Sequence, residues 1–119
     1  VVLGHTKCGA VKGACDHVEM GSITELLSKI QPSVYLEKQT TDPAMRNSEN
    51  PVFVENVAEI NVRRSVKNIV DRSHILEEML STGQIAIIGA KLSVESGAVE
   101  FFDDTFIHGD SDVRAEMSY

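Results

Sequence analysis

His5 and Cys8 are the two side chains in this sequence whose types and spacing could do chemistry together. An imidazole and a thiolate are two of the four donors that a tetrahedral zinc ion takes. They follow the short apolar run Val1-Val2-Leu3, turn on Gly4, and lead through Gly9 into residues that read as a helix. Ligands of α/β sheets sit in the crevice outside the carboxyl ends of the strands, which is where this pair falls. A thiol that opens a helix also has its thiolate favoured by the helix dipole. The plainer alternative is a small buried thiol and a hydrogen-bonded histidine.

Nothing nearby completes the shell. If Ala10 to His17 is helical, Cys15 lies two turns from Cys8, roughly 10 Å, too far for ligands of one zinc. Cys15 therefore reads as a helix-packing thiol, and a local structural zinc site built with Cys15 and His17 is the lesser option. His74 and His108 have no neighbours at ligand spacing and read as surface or capping residues. Ser22, Ser28 and Ser33 lack the setting of a nucleophile. The carboxylate pairs Glu77-Glu78 and Asp103-Asp104 diverge as adjacent side chains do, and read as solvated.

The elements that must position His5 and Cys8 follow from periodicity and capping. Val1 to Leu3 reads as the end of a strand buried on both faces, the pattern of a parallel sheet. Ser22 and Glu25 form a capping-box pattern for a helix carrying Ile23, Leu26, Leu27 and Ile30 on one face and ending before Pro32. Residues 38–50 are polar and unpatterned, and read as a solvated connector. Asn50-Pro51 opens the longest helix, whose apolar positions change phase near Ile60-Val62. Ser73 caps a further helix closed by Gly83. Ile85 to Ala90 reads as a second strand, followed by a hairpin turning at Ser96-Gly97. Residues 103–119 read as a weakly patterned tail.

That order predicts one α/β domain over residues 1–119, a mostly parallel sheet flanked by helices with a C-terminal antiparallel hairpin strand. It holds few strands for such a sheet, and the first residue, not Met, already sits in an apolar run. The domain therefore reads as partial, with further sequence or a second subunit beside the first strand. A formal charge of −7 argues against nucleic acid as a partner. No apolar run reaches the ~20 residues that span a bilayer, and no basic start with a long apolar core suggests a secretory leader. Two cysteines without a disulfide framework point to a reducing compartment, so the cytoplasm is expected.

The segment Val2-Leu3-Gly4-His5-Thr6-Lys7-Cys8-Gly9-Ala10-Val11 resembles the zinc-motif segment of β-class carbonic anhydrases. The resemblance continues through Ser22-Ile23-Thr24-Glu25-Leu26-Leu27 and Ile30-Gln31-Pro32. Asn56-Val57, Asn61-Val62 and Ser65-Val66 are similar to the family's long helix. Ile85-Ala86-Ile87-Ile88-Gly89-Ala90 and Ser96-Gly97-Ala98-Val99 resemble its closing strand and hairpin.

The resemblance implies a dimer or higher homo-oligomer that reversibly hydrates carbon dioxide to bicarbonate at zinc held by two cysteines and one histidine. It makes His5 the imidazole ligand and Cys8 the second thiolate, with no catalytic residue identified beyond the metal ligands. Gly9 lets the backbone approach the substrate pocket. The first cysteine and an aspartate–arginine pair belong, in the family, to an earlier strand that these 119 residues lack. Zinc would lower the pKa of its water toward neutrality and make hydroxide available to attack carbon dioxide. The rival expectation is a non-catalytic carbonic-anhydrase-like module for oligomerisation or regulation, without a full zinc site.

Overall fold

The computed structural model describes residues 1–109. The protein is α/β, with a small mixed sheet of three strands in the order β1 (Val2–His5), β2 (Ile87–Leu92), β3 (Val99–Ile107). Its helices are α1 (Gly9–Cys15), α2 (Ser22–Ser28), α3 (Gln31–Leu36), α4 (Pro51–Arg72) and α5 (His74–Ser81). They pack into two compact units, one formed by Val1–Gly4 with the chain from Val62 onward, the other by His5–Asn61.

The unit His5–Asn61 is helical. Val11, Ala14 and Cys15 of α1 meet Leu27, Ile30 and Val34, and the first half of α4 adds Phe53, Val54, Val57 and Ala58. Helix α1 stops at Cys15 because His17 takes a left-handed backbone conformation, φ 55°. The expected capping box does not form. Gly21 at φ 52° is the N-cap of α2, and Ser22 is already helical with no side-chain cap bond. The helix lasts two turns and buries Leu27 alone, leaving Ile23 and Leu26 exposed. The helix ends before Pro32 as expected, at Ser28, and the proline opens the next helix. Pro32 lies in the first turn of α3, where a missing N–H costs no hydrogen bond.

Residues 38–50 are more than a solvated connector. The Arg46 guanidinium donates to the carbonyls of Val34, Glu37 and Thr40 at 2.8, 2.9 and 2.7 Å and lies 4.7 Å from the Phe53 ring centroid. The buried Glu37 carboxylate accepts from the Thr40 backbone and hydroxyl and from the Asn56 amide. Asn50 caps α4 as expected, its side-chain oxygen accepting from the Val52 N–H at 3.2 Å.

In the other unit, Val66, Val70, Leu80, Ile87 and Ile107 form the core, with Val2, Ile69 and Ile85 packed against it. The phase change along α4 is thus real: its two halves feed different cores. Ser73 caps α5 through Leu76 N–H, and Gly83 follows at φ 77°. β1 is only half covered among the described residues, since Val1 and Leu3 are exposed where burial on both faces was expected. The second strand starts two residues later than its apolar run, at Ile87. The connection to β3 spans residues 93–98 rather than a two-residue turn, with Gly97 at φ 77° and the Ser93 N–H donating to Ala98 O.

β2 and β3 are antiparallel, with Leu92 opposite Val99 and Gly89 opposite Phe102; the register then shifts, so that Ile87 faces Ile107. The Thr105 hydroxyl fills the interrupted ladder, accepting from Gly89 N–H at 2.7 Å and donating to Phe102 O at 2.6 Å. Residues 103–107 are therefore strand, a correction to the tail expected from residue 103; residues 110–119 of that expectation lie outside the described residues.

Candidate metal centre

The carboxyl end of β1 and the first residue of α1 are joined by the three residues Thr6, Lys7 and Cys8. His5 ends the strand with its ring exposed, and its Nδ1 lies 2.8 Å from the Thr6 carbonyl oxygen. A carbonyl can only accept, so Nδ1 carries the proton and donates it. In the neutral ring, Nε2 is then the nitrogen with the lone pair, the one able to bind a cation. The same arrangement, a ring N–H held by a backbone carbonyl, orients most metal-binding histidines.

Lys7 turns the chain. Its φ of 55° is left-handed, a conformation shared only with His17 among the described non-glycine residues. Cys8 follows in extended geometry, φ −67° and ψ 119°, as the N-cap of α1. Its carbonyl accepts the Lys12 N–H at 3.0 Å, the first bond of the helix, while its side chain makes no capping bond. The thiol is half-buried against the helical core. A Cβ placed on Gly9 would meet nothing within 4 Å, so the helix opens toward empty space beside Cys8.

The other candidates separate from this pair. Cys15 is buried in the core at 1% exposure. Burial, with the neighbouring Asp16 charge, pushes its thiol up to about 11, so it stays protonated at neutral pH. His17 is exposed, with Nδ1 2.9 Å from the Gln31 amide nitrogen and its ring 6.3 Å from that of Tyr35. His108 donates from Nε2 to the Gly83 carbonyl at 3.2 Å and closes the turn after α5. His74 is the exposed first residue of α5.

An imidazole whose Nδ1–H is engaged and a half-buried thiol are donors of the types that suit zinc. Among the described residues, no three His, Cys, Asp or Glu side chains stand together to hold a metal ion. The fit is thus good in kind and incomplete in number. Sequence reasoning missed Thr6 and Lys7, and no signal in residue type could have found them. Every residue carries a carbonyl, and a left-handed lysine has no compositional signature.

A family model described as carbonic anhydrase matches residues 1–99. The chain is 28% identical over 102 residues to carbonic anhydrase 2 of Mycobacterium tuberculosis, covering 82% of this chain and 45% of that protein. It is 30% identical over 105 residues to a carbonic anhydrase of Mycolicibacterium smegmatis, covering 84% of this chain and 47% of that one. The chain therefore spans about half the length of the curated relatives it matches.

Proposed function

Because the chain belongs to the β-class carbonic anhydrase family, we propose that it supplies His5 and Cys8 as two protein ligands of a catalytic zinc ion in a complete enzyme that reversibly hydrates carbon dioxide to bicarbonate. The observation that carries this reading is the His5 hydrogen bond: with Nδ1–H donated to Thr6 O, the neutral ring keeps Nε2 for a cation, three residues from a half-buried thiol. Zinc, when bound, would act as a Lewis acid that brings the ionisation of water near neutral pH.

This chain's own residues have three tasks. His5 and Cys8 hold the cation, the Thr6 carbonyl orients the imidazole, and Gly9 leaves space beside Cys8 on the substrate side. The remaining ligand comes from outside the described residues. Residues 1–119 form one partial domain of a homo-oligomer that works in the cytoplasm. The position of β1 at the end of the sheet among the described residues, the acidic composition and the two free cysteines support that reading. No helix of the described residues is long and apolar enough to cross a membrane.

The test is Cys8→Ser in the full-length protein, assayed for zinc content and carbon dioxide hydration. Both should fall to background; retained zinc would reject the assignment. A second reading, a non-catalytic module of the same family, is favoured by the lack of a third donor among the described residues. Full-length protein purified without about one zinc per chain would support it.

A further inference from the structure

The segment between the two donors has an unusual backbone, and what it implies for the metal centre rests on the zinc reading just given. Thr6 and Lys7 alone separate His5 from Cys8, and Lys7 is left-handed at φ 55°. A residue with a Cβ adopts that conformation only where its surroundings require it. Glycine, asparagine and aspartate reach it most readily, whereas β-branched residues are strongly disfavoured. Nothing in residue type selects lysine for the position, and its side chain is exposed.

The local geometry gives the conformation a purpose. The imidazole is fixed at one end by Thr6 O. At the other, Cys8 has an extended backbone that leads into α1. The dihedral angles of Thr6 and Lys7 lie between the two donors, and the left-handed one is at Lys7. We propose that Lys7 is a positioning residue of the metal centre: its left-handed backbone turns the chain so that His5 and Cys8 serve one cation.

The experiment compares Lys7→Gly, Lys7→Asn, Lys7→Val and Lys7→Thr in the full-length protein. Each is loaded with cobalt(II) in place of zinc, and affinity is measured by chelator competition. The sulfur-to-cobalt charge-transfer band is recorded alongside, because a purely structural role would leave it unmoved in any folded variant. Glycine and asparagine remove the charge but accept the left-handed turn, so both should keep affinity within about threefold of the unmodified protein. Valine and threonine leave that conformation in the free state and must regain it on binding, which weakens cobalt roughly tenfold and perturbs the band.

Should the valine variant fail to fold, the threonine variant carries that arm. Equal losses in all four variants would mean that the ammonium matters, and would overturn the proposal. Equal retention in all four would overturn it as well. If the unmodified protein gave no sulfur-to-cobalt band at all, the zinc reading itself would fall, an outcome distinct from any pattern among the Lys7 variants.

Discussion

Val62 of α4 occupies the space that a side chain on Gly4 would need: a Cβ built there would lie 2.6 Å from Val62 Cγ2. The other methyl of the same valine would stand 2.9 Å from a Cβ on Gly89 of β2. Two glycines on neighbouring strands thus seat one buried valine, and the strand that ends in His5 can lie close to α4 only without a side chain at position 4. Gly4→Ala should destabilise the protein by about 1–3 kcal/mol, the usual cost of overpacking a tight contact. Adding Val62→Ala should recover part of that loss in a double-mutant cycle. Thermal melts of the three variants check this, and an unshifted Gly4→Ala melt would contradict the close approach.

Thr105 makes a separate prediction for the opposite strand. Its hydroxyl bridges Gly89 N–H and Phe102 O where the ladder is interrupted. Thr105→Val keeps the shape and orphans both buried backbone groups, at a cost of roughly 2–3 kcal/mol. Amide exchange at Gly89 should accelerate more than exchange elsewhere in the sheet.

Glu37 ties the 38–50 loop to the helical unit and should make its stability depend on acid. Burial alone would raise this carboxyl, but the Thr40 hydroxyl and backbone, the Asn56 amide and the Gln39 backbone outweigh it and hold it below the usual range. A depressed folded value stabilises the charged form. Its contribution is complete above the ordinary glutamate range and is lost as pH falls through the folded value. Glu37→Gln should flatten the acid limb of a stability-versus-pH curve while lowering stability at neutral pH. A variant with an unchanged acid limb would contradict the assignment. Arg46→Ala removes donors to three carbonyls and should destabilise by roughly 2–3 kcal/mol.

The two thiols should differ in reactivity. Cys15 is buried with its thiol raised to about 11, so at pH 8 it is almost wholly protonated and shielded from reagent. Cys8 is half-buried at the surface of the same unit. In the metal-free protein a disulfide reagent should titrate one thiol quickly and the second only on unfolding. Mass mapping should place the fast label on Cys8, and a label on Cys15 would contradict the packing.

Helices α4 and α5 were legible because their ends carry chemistry. Asn50-Pro51 and Ser73 name the starts of α4 and α5, and the phase change near Ile60-Val62 marks where α4 passes from one core to the other. The shorter α1 and α2 were also read close to their observed places, whereas the cap of α2 and the whole of α3 were not. Two turns of α2 are too few for an apolar stripe to be tested, and a proline in a first turn resembles one that follows a helix. The start of β3 was visible, but its C-terminal half was hidden by the register shift, which breaks the alternation between Phe102 and Ile107 that identifies a strand. At the site, the donor types His5 and Cys8 were visible in the sequence. The tautomer and the left-handed turn between them exist only in the folded backbone.

The account stands on His5 and Cys8 sharing one zinc ion, and X-ray absorption at the zinc edge of the full-length protein addresses that directly. The unmodified protein should show a mixed nitrogen and sulfur shell with sulfur at about 2.3 Å. Cys8→Ser should lose one sulfur from that shell or lose the metal altogether. An unchanged sulfur count in the Cys8→Ser protein would contradict the central claim.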